Sequence, residues 1–139
     1  MVSEKIDIKA PAESVFEAIR QLRTESGRSL ESYDGKVAVI KEELDNVPVF
    51  GKVQCVWEET EQAHERIDFK MLSSSKFKES YGAYILKEAG DGRTNLEMQV
   101  HMDAGLNIPF AGEMTKASAA KDAKHRLEKI KTIAENFQQ

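Results

Sequence analysis

The sequence predicts an α+β fold, a curved antiparallel sheet of about six to seven strands covered by one long C-terminal helix. Three observations predict it. Apolar residues alternate through a series of short runs over residues 29–103, which is the period of half-buried strands. The dipeptides Asp34-Gly35 and Asp91-Gly92 separate neighbouring runs and mark tight turns, so consecutive strands pair as hairpins. From about Pro109 the spacing changes to three and four, and a sheet with a single apolar face needs such a helix as its cover.

The elements follow in order. "SEKIDIK" places Ile6 and Ile8 on one strand face. In "APAESVFEAIRQL", Pro11 suits a first helical turn, and Val15, Phe16, Ile19 and Leu22 form a helical stripe. A polar stretch leads into "SLESYDGKVAVIKEEL", two short strands about Asp34-Gly35, and "DNVP" then turns the chain. "VFGKVQCVWEE" puts Val53, Cys55 and Trp57 on one face, and "ERIDFKML" does the same with Ile67, Phe69 and Met71. After "SSSKFK" come "SYGAYILKE" and "TNLEMQVHMD", joined at "AGDGR". In the last of these strands Leu96, Met98, Val100 and Met102 share the dry face, while Glu97, Gln99, His101 and Asp103 share the wet one. The final helix runs from about Pro109 to the C-terminus, with Pro109 in its first turn.

Composition bounds the function. The chain has 139 residues, 40% hydrophobic and 32% charged, which suits one soluble domain over residues 1–139. It holds no run of about 18 apolar residues for a membrane span, and "MVSEKIDIK" lacks a secretory layout, so the cytoplasm is the expected compartment. Cys55 is the only cysteine, which excludes an intrachain disulfide and reads as a small buried strand residue. Three scattered histidines make no metal cluster, and neither metal nor cofactor is expected. The net charge of −4 argues against nucleic acid as a partner. Between Glu113 and Lys131, six basic residues oppose three acidic ones, a pattern explained by a solvated helix face or by docking to an acidic surface.

The long helix has two unlike halves. Its stripe is Ala119, Ala123, Leu127, Ile130, Ala134 and Phe137, of which Leu127, Ile130 and Phe137 are large enough to fill the space above a sheet. Upstream, Gly112, Thr115, Lys116, Ala119, Ala120 and Ala123 leave volume unfilled.

"IDIKAPAESVFEAI" resembles the opening of the START/Bet v 1-like superfamily, the polyketide cyclase/dehydrase and lipid transport group, through Ile6, Ile8, Ala10, Pro11, Val15, Phe16 and Ile19. "GDGRTNLEMQV" is similar to that group's penultimate hairpin. Through element order the resemblance spans essentially the whole chain. It implies a helix-grip fold with a cavity between sheet and helix that takes a hydrophobic small molecule or lipid. Members often carry a Trp-Pro segment after the first helix, and "RQLRTESGRS" has neither residue.

The expected cavity wall is Val53, Trp57, Phe69, Met71, Tyr84, Met98, Val100 and Met102 from the sheet, with Thr115, Lys116, Ala119 and Ala123 from the helix. Thioethers adapt to a variable guest, and one of Tyr81 and Tyr84, which lie on opposite strand faces, must point inward with its hydroxyl seeking a partner. His101 and Asp103 fall on the wet face, His64 in a polar turn and His125 on the charged side of the helix, so none is expected to be catalytic. The expected activity is binding or transport of a hydrophobic small molecule or lipid without chemistry. The alternatives are a cyclase or dehydratase-like enzyme using cavity hydroxyls, and an interaction module docking through its basic helix.

Overall fold

A computed structural model describes residues 1–25 and 27–137. The described residues form one antiparallel sheet in the order β1-β7-β6-β5-β4-β3-β2. Its strands are β1 (Val2–Ile8), β2 (Arg28–Tyr33), β3 (Val37–Val47), β4 (Gly51–Gln62), β5 (Arg66–Ser74), β6 (Glu79–Gly90) and β7 (Arg93–Asp103). Helix α1 (Ala12–Gln21) and a 3₁₀ turn (Leu22–Thr24) lie between β1 and β2, and α2 (Ala111–Asn136) closes the order. The chain therefore goes out along one edge strand, crosses by α1 to the far edge, and returns strand by strand until β7 pairs with β1. This is the α+β helix-grip arrangement.

Local chemistry accounts for the turns. Asp34 accepts hydrogen bonds from the backbone N–H groups of Val37 (2.7 Å) and Lys36 (2.9 Å), which closes the β2–β3 hairpin. Those donors hold the Asp34 carboxyl below the usual carboxylate range. At the β6–β7 turn Asp91 and Gly92 have φ values of 53° and 71°, the left-handed pair that a tight hairpin requires. The third turn differs from expectation. β3 continues through a bulge to Val47, and the reversal occupies Pro48–Phe50, where the Phe50 N–H donates to Val47 O.

Both helices start later than their prolines suggest. Pro11 is the extended residue just before α1, with φ −69° and ψ 160°, and its carbonyl accepts from the Val15 N–H at 3.1 Å. Phe110, at φ 63°, is left-handed and so cannot be helical, which leaves Pro109 outside α2.

The core gathers where α1 and the downstream half of α2 meet β1 and β7. Ile8, Val15, Ile19, Leu96, Leu127 and Ile130 are among its fully buried members, each contributing about 1.5 to 3 kcal/mol of burial. Thr94 donates to Ala10 O at 2.8 Å and fixes the approach to α1. Phe137 does not join this core: it is the residue after the last turn of α2 and is exposed. Gln138 and Gln139, which the expected helix included, lie outside the described residues.

Candidate functional site: a cavity with a charged inner wall

Because α2 packs chiefly on β1, β7 and α1, its upstream half stands over β3, β4 and β5 without large side chains to fill the gap. The result is a cavity of about 730 Å³, within the range usual for small-molecule sites. Trp57, Phe69, Tyr84, Met98, Val100 and Met102 form its sheet wall, and Thr115, Ser118, Ala119, Asp122, Ala123 and Arg126 its helix wall. Trp57, Phe69 and Tyr84 are a continuous aromatic surface, with ring centroids 6.0 Å and then 5.5 Å apart. Val49, Phe50, Leu106 and Met114 line the opposite end. Val49 and, just beyond the lining, Phe110 are the two most exposed large apolar side chains among the described residues, and both have positive φ.

A second feature is an ion-pair chain on the inward face of β3 and β4. Glu61 pairs with Arg23 Nη1 at 2.8 Å, and Arg23 Nε with Glu59 at 2.7 Å. Glu59 meets Arg28 at 3.4 Å, Arg28 meets Glu42 at 3.4 Å, and Glu42 meets Arg126 at 3.4 Å. Burial works against the charged form of Arg23, but Glu59 and Glu61 outweigh it and leave its pKa raised. Trp57 Nε1 donates to Glu42 at 3.0 Å, and Tyr33 donates to Glu61 at 2.7 Å. The Arg23 and Glu59 side chains are only 3% and 4% exposed, whereas that of Arg126 is 32% exposed because it faces the cavity. Arg126 Nη1 also donates to the Tyr84 hydroxyl at 3.4 Å. The Tyr84 oxygen and Glu42 hold the Arg126 pKa above its ordinary value, so this group is a fixed cation.

The family model for polyketide cyclase / dehydrase and lipid transport matches residues 1–135. The chain belongs to that family. No curated protein matches it in sequence. Among solved structures, the Zhui aromatase/cyclase of Streptomyces sp. R1128 superimposes with TM-score 0.82 at 15% identity, over 99% of this chain and 94% of that one. A START superfamily protein of Mycobacterium smegmatis gives TM-score 0.78 at 16% identity, over 98% and 97%. A protein of Thermus thermophilus gives 0.78 at 18%, over 99% of each chain. At these identities the likeness carries the fold alone. Family and fold together fit a hydrophobic-ligand-binding or polyketide cyclase-like protein.

Within this polyketide cyclase/dehydrase and lipid transport fold, most of the expected wall surrounds the cavity, but three positions do not. Val53 is fully buried beside Leu44 and has no surface left to offer. Met71 lies beyond the last β5–β6 pair, Lys70 with Tyr81, and just before the bulge where β5 bends. Lys116 is exposed and lies on the flank of the helix wall, about 100° round the helix from Thr115 and just beyond Ala123. Tyr84 is the inward tyrosine. Tyr81 is outward and stacks on His101 at 4.7 Å, and His101 Nε2 lies 3.3 Å from Glu79 on the wet face. His125, expected on the charged side of the helix, is exposed and also lies in the cavity lining.

Glu42, Glu59, Glu61, Arg23, Arg28 and Arg126 are not among the site residues that the sequence suggests. One signal is present for the carboxylates: Glu59 and Glu61 continue the parity of Val53, Cys55 and Trp57, and Glu42 that of Ala38 and Ile40, so acidic residues occupy inward positions. The arginines carry no such signal.

A smaller concavity of about 420 Å³ has Ser29, Lys41, Gln54 and Ser73 in its lining. Cys55 lies at its base, buried, with Sγ 3.6 Å from Ser74 Oγ. Burial pushes its thiol up, so at neutral pH Cys55 is expected to resist iodoacetamide in the folded protein and to react on addition of urea. Mass spectrometry of the alkylated chain checks this; rapid labelling without urea contradicts it.

Proposed function

We propose that the chain binds a hydrophobic small molecule or lipid in the cavity under α2 and carries it chemically unchanged. The observation that supports this is a roomy, mainly apolar cavity with Arg126 set beside its aromatic wall. Burial of an apolar guest supplies affinity in such a site, and the few polar groups orient it. A cyclase or dehydratase-like activity is the second reading, favoured by the Tyr84 hydroxyl held 3.4 Å from Arg126, where a hydroxyl donor would meet a substrate oxygen. The cytoplasm is the proposed compartment, in keeping with a lone buried cysteine.

Native mass spectrometry of gently purified protein tests the reading. A retained small molecule supports it, and a bare chain that also fails to take up Nile red refutes it. Ala119→Phe gives a residue-level check. Ala119 is half-buried and borders the cavity rather than the core, so the ring should fill the void and lower Nile red affinity by about 10-fold or more with little change in Tm. In a close-packed interior the same change would cost about 1 to 3 kcal/mol. Loss of stability without loss of dye binding would place Ala119 in packed core instead.

A further inference from the structure

We infer that the ligand is an apolar carboxylic acid whose carboxylate seats on the guanidinium fork of Arg126. This rests on the binding reading above. The ion-pair chain alternates in sign from Glu61 through Arg23, Glu59, Arg28 and Glu42 to Arg126, and Arg20 adds a further cation at the Glu61 end, 3.4 Å away. Arg126 is the terminal member, and the next charge in the alternation is an anion.

Glu42 does not need Arg126 to be satisfied. It accepts from Trp57 Nε1 at 3.0 Å and lies 3.4 Å from Arg28. Arg126 for its part has five N–H donors and only two contacts, both at the long limit of hydrogen bonding. Spare donors on a cation that faces an apolar cavity call for a strong acceptor, and a carboxylate matches the planar fork. Arg28 lines the same cavity, and its buried Nε makes no hydrogen bond, although Glu42 is at ion-pair distance.

The charges around Arg126 are mixed, with Glu42 3.4 Å away and Glu59 also in the lining, so an anion must be held by direct contact with the fork. Lys129, three residues on, and His125 lie on the same wall. Asp122, one turn upstream, opposes it from an exposed position at the cavity edge. From Arg126 to Met114 at the far end the helix rises about 18 Å, which leaves room for an extended apolar chain along Trp57, Phe69, Met98 and Met102.

The test is fluorescence titration with cis-parinaric acid and its methyl ester, with Nile red as a neutral reporter of the cavity. The native protein is expected to prefer the acid by about 10- to 100-fold, the span of a charge-assisted hydrogen bond. Arg126→Gln should bring acid and ester to within about 2-fold of each other while Nile red binding persists. An ester that binds the native protein as tightly as the acid, or an acid preference that survives Arg126→Gln, overturns the carboxylate seat but leaves a binding cavity intact. Failure of all three probes with the native protein overturns both readings. If Arg126→Gln does not fold, Arg126→Lys keeps the cation and loses the fork, and acid affinity should fall by about 3- to 10-fold with the ester unchanged. Equal acid affinity in the lysine variant would overturn the seat.

Discussion

Gly82→Ala is expected to destabilise the protein by about 3 kcal/mol or more and to lower Tm by on the order of 10 °C. Gly82 sits on β6, paired with Phe69 on one side and Val100 on the other, and all three positions belong to the inward face. A Cβ at this position would fall 1.9 Å from the Gln99 carbonyl oxygen and 2.7 Å from Phe69 Cζ. The first contact is with backbone, so relief requires β6 and β7 to separate rather than a side chain to swing. The second is with the ring that forms the middle of the aromatic wall. Strand closure and the cavity floor therefore depend on the same missing methyl group, and Nile red affinity should fall along with stability. Thermal unfolding of the variant measures the first effect. A Tm within about 2 °C of the parent would show that the strands accommodate the methyl and that the close approach is not required.

Glu59→Leu is expected to cost about 3 to 5 kcal/mol, because it strips a carboxylate from two buried guanidinium groups at once. Among carboxylates Arg23 would keep only Glu61 and Arg28 only Glu42, with the Leu22 carbonyl as the remaining acceptor of Arg28. Removing both members of the tightest pair should be milder than removing one. The double variant Arg23→Met/Glu59→Leu leaves neither member of that pair behind, although Arg28 and Glu61 each lose one partner, so it should recover about 1 kcal/mol or more of the loss. Urea denaturation of the two single variants and the double variant completes the cycle. A double variant as unstable as the two losses added together would mean that Arg23 and Glu59 act independently, and the chain would then be a set of separate contacts.

Most of the fold was legible because its signals are local. Alternation at Leu96, Met98, Val100 and Met102 identifies a strand whichever neighbours it has, since successive side chains must point to opposite faces. Asp91-Gly92 marks a hairpin because left-handed backbone is costly for most residues. The spacing of Leu127 and Ile130 marks the packed half of α2 in the same way. Element boundaries were less legible. Pro109 suits a first helical turn by its own φ preference, but the chain reaches α2 through a left-handed Phe110, which depends on where β7 ends and where the helix must begin.

The cavity was partly legible for the same reason, as an absence of bulk at Ala119 and Ala123, and of the four expected helix residues Lys116 alone falls outside its lining. Lys116 and Thr115 are both close to the stripe, and only the resting position of α2 on β1 and β7 turns Thr115 toward the sheet and Lys116 to solvent. The choice between Tyr81 and Tyr84 was of this kind too. Alternation requires them to differ, and β6 pairing with β7 on the inward register of Met98 settles which is inside.

By itself the sequence determined the period of each element, its order along the chain, and the side chains that share a face, because these follow from backbone geometry within a few residues. Only the tertiary structure decided which charges meet. Glu42, Glu59 and Glu61 point inward by alternation, yet their partners come from the turn after α1, the start of β2 and the middle of α2, far apart in the chain. A lone arginine in a polar stretch and another on a basic helix look solvated in sequence. Desolvation makes the difference: once the sheet curls, a buried carboxylate is too costly to leave alone, and each guanidinium within reach is drawn into the chain that ends at Arg126.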